Sequence, residues 1–425
     1  MKKKKYRFKL MKWAQDLFPY YRSLTGEGNR KTLKYIKNLN KSFKLKSVES
    51  GEKFFDWTIP QEWQIKQSYI LSQEGKKIAN FKENNLHVVN YSRPINKKIN
   101  YNLLKKKIFT LKKSPNSLPY VTSYYDKNWG FCLKFKDFKK LNKKEKYLAY
   151  IQSKHFNGKM DYAELTIKGK SKKTILICSY ICHPSLANNE LSGPLIIAAL
   201  SKILRPSKYT VKLILIPETI GAITYISKNL NFLKKNLVAG FNLSCVGDDG
   251  PYSLISSINE NTYADKVAKR VLGKKNNFKK YSFMDRGSNE RQFGCQNLNL
   301  PFVTICRSKF GTYKEYHTSD DNLSFISEKN LQDSLKCILE LVEEVQKNKI
   351  FTKNTICEPF LTKYNLVSNI GTGKSLKFHD LHNVIAYVGT NYDLKELSKK
   401  LKIPVKKIIK IINIIQKKKI IREYL

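Results

Sequence analysis

Acidic residues are scarce in this sequence: 34 Asp and Glu stand against 80 Lys and Arg, a formal net charge of +46. Such a surplus attracts nucleic acid, anionic membranes or acidic glycans. Lysine is spread along nearly the whole chain, however, so a dispersed, composition-driven surface is the first expectation and a polyanion partner the second. Long apolar runs are missing as well, which excludes a transmembrane helix. At the N-terminus, MKKKKYRFKLMKWAQDLF has a basic start, but Lys12 interrupts the apolar stretch that a signal peptide would need. No CxxC pair occurs among the eight cysteines (Cys132, Cys178, Cys182, Cys245, Cys295, Cys306, Cys337 and Cys357). Several lie in strand-like runs, so they read as reduced core thiols and the expected location is the cytoplasm.

What remains is ample for folding. With 41% hydrophobic and 12% aromatic residues, a chain of 425 should form two or three domains, each with its own core. Leu10, Trp13, Ala14, Leu17 and Phe18 form a helical stripe. The loop Tyr21 to Arg30, with two glycines, two arginines and a carboxylate, suits either an anion or a capped helix junction around Thr25 or Asn29. From Phe54 to Tyr147 short alternating runs and breakers predict a β-rich unit inserted into a larger domain. Its Tyr124, Tyr125 and Trp129 are candidates for a pocket, although strand aromatics are more often core. After Ala163, strands alternate with helices, which predicts an α/β domain: a mainly parallel sheet with helices on both faces.

The central stretch is TILICSYICHPSLANNELSGP, residues 174 to 194. Its apolar run reads as a buried strand, and ligands in α/β sheets bind where such strands end. Histidine is rare, with six in all, yet two fall at strand ends, His183 here and His317 in YHTSDDNL. Glu190 shares the loop of His183, Glu218 ends the next strand, and Ser244 and Asp248 follow another. Catalytic zinc needs three protein ligands, often two His and one Glu, and a carboxylate to take a proton from water. His183, Glu190 and His317 supply the first set and Glu218 the second. Taken singly, either histidine is explained as well by a hydrogen-bonded core position.

The stretches YYRSLTGEGNRKTL, FFDWTIPQEW, NLHVVNYSRP, LPYVTSYYDKNWGFCL, ICHPSLANNELSGP, IPETIGAITYI and EYHTSDDNL run from residue 19 to residue 323. In them the chain resembles uncharacterised aminopeptidase-like proteins with a small nested β domain and a C-terminal winged helix, relatives of the zinc aminopeptidase superfamily. The resemblance implies domains at 1–53 with 148–350, 54–147 inserted, a linker at 351–375 and a winged helix-turn-helix at 376–425. It implies a hydrolase of amide or peptide bonds, with a small-molecule, peptide or amino-sugar amide as substrate. The wider superfamily usually holds two zinc ions, and its ligand places align with Tyr180, Asn189, Thr219, Ser244 and His317, with Glu218 at the place of the base. Tyr, Asn, Thr and Ser offer no anionic oxygen near neutral pH, so two ions are not expected. One Zn2+ on His183, Glu190 and His317 is expected instead. The rival is an inactive peptidase fold that only binds a ligand.

Arg286, Arg291, Arg307 and Tyr316 surround the strand before His317 and are candidate substrate-binding residues, the arginines through bidentate bonds to a carboxylate. Pairing of the arginines with Glu290 and Asp285 is the plainer alternative. In the C-terminal region Asp393 and Pro404 mark helix starts, and the last helix carries Lys406, Lys407, Lys410 and Lys417 to Lys419. It has little with which to read bases, so packing or a protein partner is expected before nucleic acid. Oligomerisation stays open.

Overall fold

A computed structural model describes residues 8–366, 376–389 and 392–424. The chain divides into two compact units, 1–342 and 343–425. In the first, an eight-stranded sheet is built from β1 (Lys44–Glu49), β2 (Lys159–Ile167), β3 (Ser171–Tyr180), β4 (Tyr209–Ile216), β5 (Leu237–Leu243), β6 (Ser253–Ile255), β7 (Lys279–Tyr281) and β8 (Phe302–Cys306). The spatial order is β1-β2-β4-β3-β5-β8-β6-β7.

Parallel pairing joins β4, β3, β5 and β8 in the middle and β6 with β7 at one edge, while β1 with β2, β2 with β4, and β8 with β6 pair antiparallel. The sheet is therefore mixed, with the expected parallel pairing in its centre and antiparallel pairing toward the edges. The apolar runs of the central strands were readable, because strands covered on both faces must be apolar throughout. Strand direction at the edges depends on pairing that local sequence does not carry.

In β3, Leu176, Cys178 and Tyr180 pack with Ile220, Ile223 and Leu233 of the helix Ile220–Asn236. Ser179 points the other way, as strand alternation requires. There Gly193, in the first turn of the helix Ser192–Ile203, lies so close that an added Cβ would stand 2.1 Å from Ser179 Oγ and 2.7 Å from Leu243 O. Helices thus cover both faces, and β3 delivers its loop between them.

The inserted region forms a four-stranded antiparallel sheet in the order Lys77–Ile78, Glu62–Leu71, Lys146–Phe156, Ile95–Asn100. Its last strand runs on to Phe156, and after Asn157-Gly158 the chain enters β2. Ile70, Leu104, Phe131, Ala149 and Ile151 form its core, with Trp129 packed against them. Trp129 is therefore a core aromatic, and Tyr125 is half-exposed against Trp57.

In the second unit, Phe351–Lys353 pairs antiparallel with Ile421–Glu423. The helices Leu376–Tyr387, Leu394–Leu401 and Val405–Lys417 bury Val384, Ile385, Leu397, Ile408, Ile412 and Ile415. Asp393 caps the second helix in a reciprocal box with Glu396, and Pro404 precedes the third. Residues 367–375 of the expected linker lie outside the described residues.

Candidate functional site at the ends of the central strands

Beyond Tyr180 the chain leaves the sheet through residues 181–186 and makes a single π-turn at Ala187–Leu191 before the helix at Ser192. Asp321 holds this turn: its carboxylate accepts the backbone N–H groups of Asn188 and Asn189 at 2.6 and 2.9 Å. Asn188 in turn donates its side chain to buried Asp248. The turn aims Glu190 back at His183, whose Nδ1 lies 3.0 Å from Glu190 Oε2. On its other side Glu190 Oε1 stands 3.4 Å from Arg22 Nε, and both side chains are 0% exposed. Arg22 Nε also donates to His183 O, and Nη1 to Leu17 O. The anion-binding loop read around Arg22 therefore has its carboxylate within the chain, and Arg30 likewise pairs with Glu62 and Asp161. Gly26, with φ +103°, occupies the N-cap that Thr25 or Asn29 was expected to fill.

The opposite nitrogen, His183 Nε2, lies 3.8 Å from Glu218 Oε2. Glu218 follows β4, and Thr219 after it holds a left-handed φ of +62°. Ser288 Oγ donates to Glu218 Oε1 at 2.6 Å, leaving Oε2 toward the site. At 20% exposure the Glu218 side chain is the accessible acid, against 3% for His183 and 0% for Glu190. Burial raises the Glu218 pKa above the ordinary carboxylate range, although charged His183 and the Ser288 bond oppose it. Burial disfavours a charged His183, but Cys182 and Glu190 outweigh it and its pKa stands well above the usual imidazole value.

His317, also left-handed at φ +56°, brings its ring to 5.3 Å from that of His183. Its Nε2 is buried with no hydrogen-bond partner. Burial and the neighbouring His183 charge push its pKa well below the usual value, which keeps it a neutral imidazole. The inserted region secures it: Tyr120 N donates to His317 O at 2.8 Å, and Leu118 and Ser319 exchange bonds. The Tyr120 ring meets both histidines edge-on at 5.1 Å, and Tyr316 stacks on His317 at 3.9 Å.

Three expected partners sit differently. Arg307 donates to Gly250 O and lies over the Tyr252 ring, a structural placement. Arg286 lies over Phe283 and is exposed. Arg291 reaches Thr219 Oγ1 beside Glu218. None pairs with Glu290, whose oxygens accept from Gly287 N, Ser288 N and Thr304 Oγ1. Sequence reading missed Tyr120 and Cys182, and it placed Arg22 in an anion-binding loop without its partner Glu190. Cys182 has a signal only in hindsight, as a thiol beside a strand-end histidine: among the described residues, Cys182, His183 and Glu190 bring one ligand atom each within 4.8 Å of one another. His317 adjoins this group without entering it.

Residues 11–348 match the family described as Domain of unknown function (DUF4910). The chain belongs to this family. A Clostridium acetobutylicum relative, named as a presumed polysaccharide biosynthesis protein with an aminopeptidase-like domain, is 38% identical over 370 residues, covering 86% of this chain and 84% of the relative. A crystal structure of a presumed peptidase from the same species is similar at 33% identity and a TM-score of 0.80, covering 97% of this chain and 96% of that one. A zinc aminopeptidase from Bacillus subtilis shares the fold alone, with a TM-score of 0.57 at 14% identity over 80% of this chain and 95% of that one. The α/β domain thus has a mixed fold similar to that of zinc aminopeptidases.

At three of the positions that the resemblance aligns with metal ligands, Tyr180, Asn189 and Ser244 carry neutral side chains that bond to one another, with Asn189 Oδ1 left unpaired. Asn189 Nδ2 donates to Tyr180 OH at 2.7 Å, and Tyr180 OH lies 2.6 Å from Ser244 Oγ. A dinuclear centre does not fit these residues. Beside them, among the described residues, Cys182, His183 and Glu190 bring donors close enough together for a single ion. His183 Nδ1 and Glu190 Oε2 are about as far apart as two ligands of one tetrahedral zinc, roughly 3.3 Å from ordinary bond lengths, and His317 holds an orphaned buried nitrogen.

Proposed function

We propose that the protein is a cytoplasmic, peptidase-type hydrolase that cleaves an amide or peptide bond with one zinc ion and Glu218 as general base. The observation that carries this reading is the buried His183 Nδ1–Glu190 pair, with an accessible, pKa-raised Glu218 3.8 Å from the other ring nitrogen, His183 Nε2. His183, Glu190 and His317 would hold the ion, which when bound supplies Lewis acidity to water and to the scissile carbonyl. Cys182, whose thiol burial pushes up to about 11, stands beside these donors.

Glu218 Oε2 takes a proton from water as the water oxygen bonds to the carbonyl carbon. The same proton passes to the departing nitrogen as the C–N bond breaks, so Glu218 ends as it began. Ser288 steadies Oε1 throughout. Tyr120, Tyr316 and Tyr180 wall the histidines with aromatic surface. Arg291, beside Glu218, and Tyr316 remain substrate-binding candidates. The polysaccharide association of the Clostridium relative favours an amide on an amino sugar as much as a peptide.

Elemental analysis of protein purified without chelator or metal-binding tag tests the reading. We expect about one zinc per chain, lost in His183→Ala, Glu190→Gln and His317→Ala, and kept in Cys182→Ser and Glu218→Gln. Glu218→Gln should then abolish turnover of any amide that the wild type cleaves. No metal after zinc addition sinks the proposal.

A second reading rests on the three helices and strand pair of residues 343–425, which suit a winged helix, and on Lys406, Lys410 and Lys417 along its last helix. It makes the chain an inactive peptidase fold joined to a module for nucleic acid or protein.

A further inference from the structure

A cleft of about 210 Å3 opens behind the catalytic loop, between residues 19–31 and the inserted sheet. Tyr20, Tyr21, Trp63 and Phe81 give it aromatic walls, with Tyr21 meeting Trp63 at 5.5 Å and Phe81 edge-on at 5.0 Å. Gln64 and Asn85 add amides. Its two charged walls, Glu27 and Lys31, pair with each other at 2.9 Å, so no net charge is left to attract an ion. The Tyr21 hydroxyl is buried without a hydrogen-bond partner.

We infer that this cleft is a binding site for one neutral sugar ring, separate from the hydrolytic centre. Aromatic faces suit the C–H surface of a pyranose, and amides and a phenol suit its hydroxyls. The volume suits a single ring and lies below the ~300 Å3 at which sites for drug-sized ligands begin. A paired carboxylate and ammonium discriminate against anions and cations alike. The site is also wired to the catalytic loop at two points. Asn85 Nδ2 donates to Ser185 Oγ at 2.7 Å, and Tyr21 precedes Arg22, which holds both His183 O and Glu190. An occupied cleft therefore restrains the segment that carries His183.

Calorimetric titration of the full chain with methyl glucoside, galactose and N-acetylglucosamine, and with glutamate as a charged control, tests the inference. Saturable binding of at least one neutral sugar in the millimolar range is expected, with none for glutamate. It should weaken by about tenfold or more in Tyr20→Ala and in Gln64→Ala, two partly exposed positions whose replacement leaves the core intact, and persist in Glu218→Gln. No saturable binding of any of the three sugars overturns the inference, as does binding that withstands both wall substitutions. Because the readout is binding, failure to find hydrolysis leaves this result untouched.

Discussion

Arg22 shows what a single buried charge does at this site. Its guanidinium, 0% exposed, stands against Glu190 and binds the carbonyl of His183, so one side chain fixes both the carboxylate and the backbone of the loop. Burial lowers the Arg22 pKa and Glu190 opposes that fall, as expected where a charge survives only through its partner. Arg22→Met should leave buried Glu190 with His183 as its remaining partner and cost up to about 3–5 kcal/mol. The double variant Arg22→Met/Glu190→Gln should recover part of that loss. Chemical denaturation of the three proteins checks this, and equal stability of wild type and Arg22→Met would show that the pair does not matter. Arg22 lies far in sequence from its partner, which is why sequence could suggest a bound anion but not name Glu190.

At the scale of elements, the inserted sheet carries a pH dependence of its own. His87 Nδ1 lies 2.8 Å from Cys132 O, and His155 Nε2 lies 3.2 Å from Tyr91 O. Burial lowers both pKa values below the usual 6.5, against the pull of those carbonyls. A depressed histidine keeps its full stabilising contribution above the unfolded pKa and loses it as pH falls through the folded one. The unfolding temperature should therefore drop between about pH 7 and pH 5, and drop less in His87→Asn/His155→Asn. Thermal melts across that range decide it, and equal slopes would remove both histidines from the account. Elements like these also mark what the sequence made legible. The apolar run of β3 and the starts at Asp393 and Pro404 follow from local chemistry: burial on both faces, a carboxylate at an N-cap, a ring at a helix entry. His183 and Glu190 were legible together because seven residues separate them in one loop. Tyr120 was not, because its place between two histidines comes from bonding of Leu118 and Tyr120 to residues 317–319, about 200 positions away. Tyr124, Tyr125 and Trp129 share one segment and scatter to different surroundings for the same reason.

For the whole molecule the open physical question is the charge of +46. No helix among the described residues is long and apolar enough to cross a membrane. Lysines that are solvated and dispersed bind polyanions weakly and release counterions in proportion to the contacts made, so affinity falls steeply with salt. A dedicated module would instead concentrate that affinity. In the unit 343–425, Lys407 is taken by Asp380 and Lys395 by Glu344, while Ile409 and Ile414 on the last helix are partly exposed beside the remaining lysines. A mixed apolar and basic face suits a protein surface better than base edges, which call for Arg, Asn and Gln. Binding of duplex DNA to the full chain should therefore be weak, sequence-independent and largely gone by about 0.2 M salt, and a chain ending at residue 342 should retain most of it. If truncation abolished the binding while the full chain discriminated among sequences, the C-terminal unit would be a nucleic-acid reader, and the weight would move from the hydrolase to the inactive binding protein.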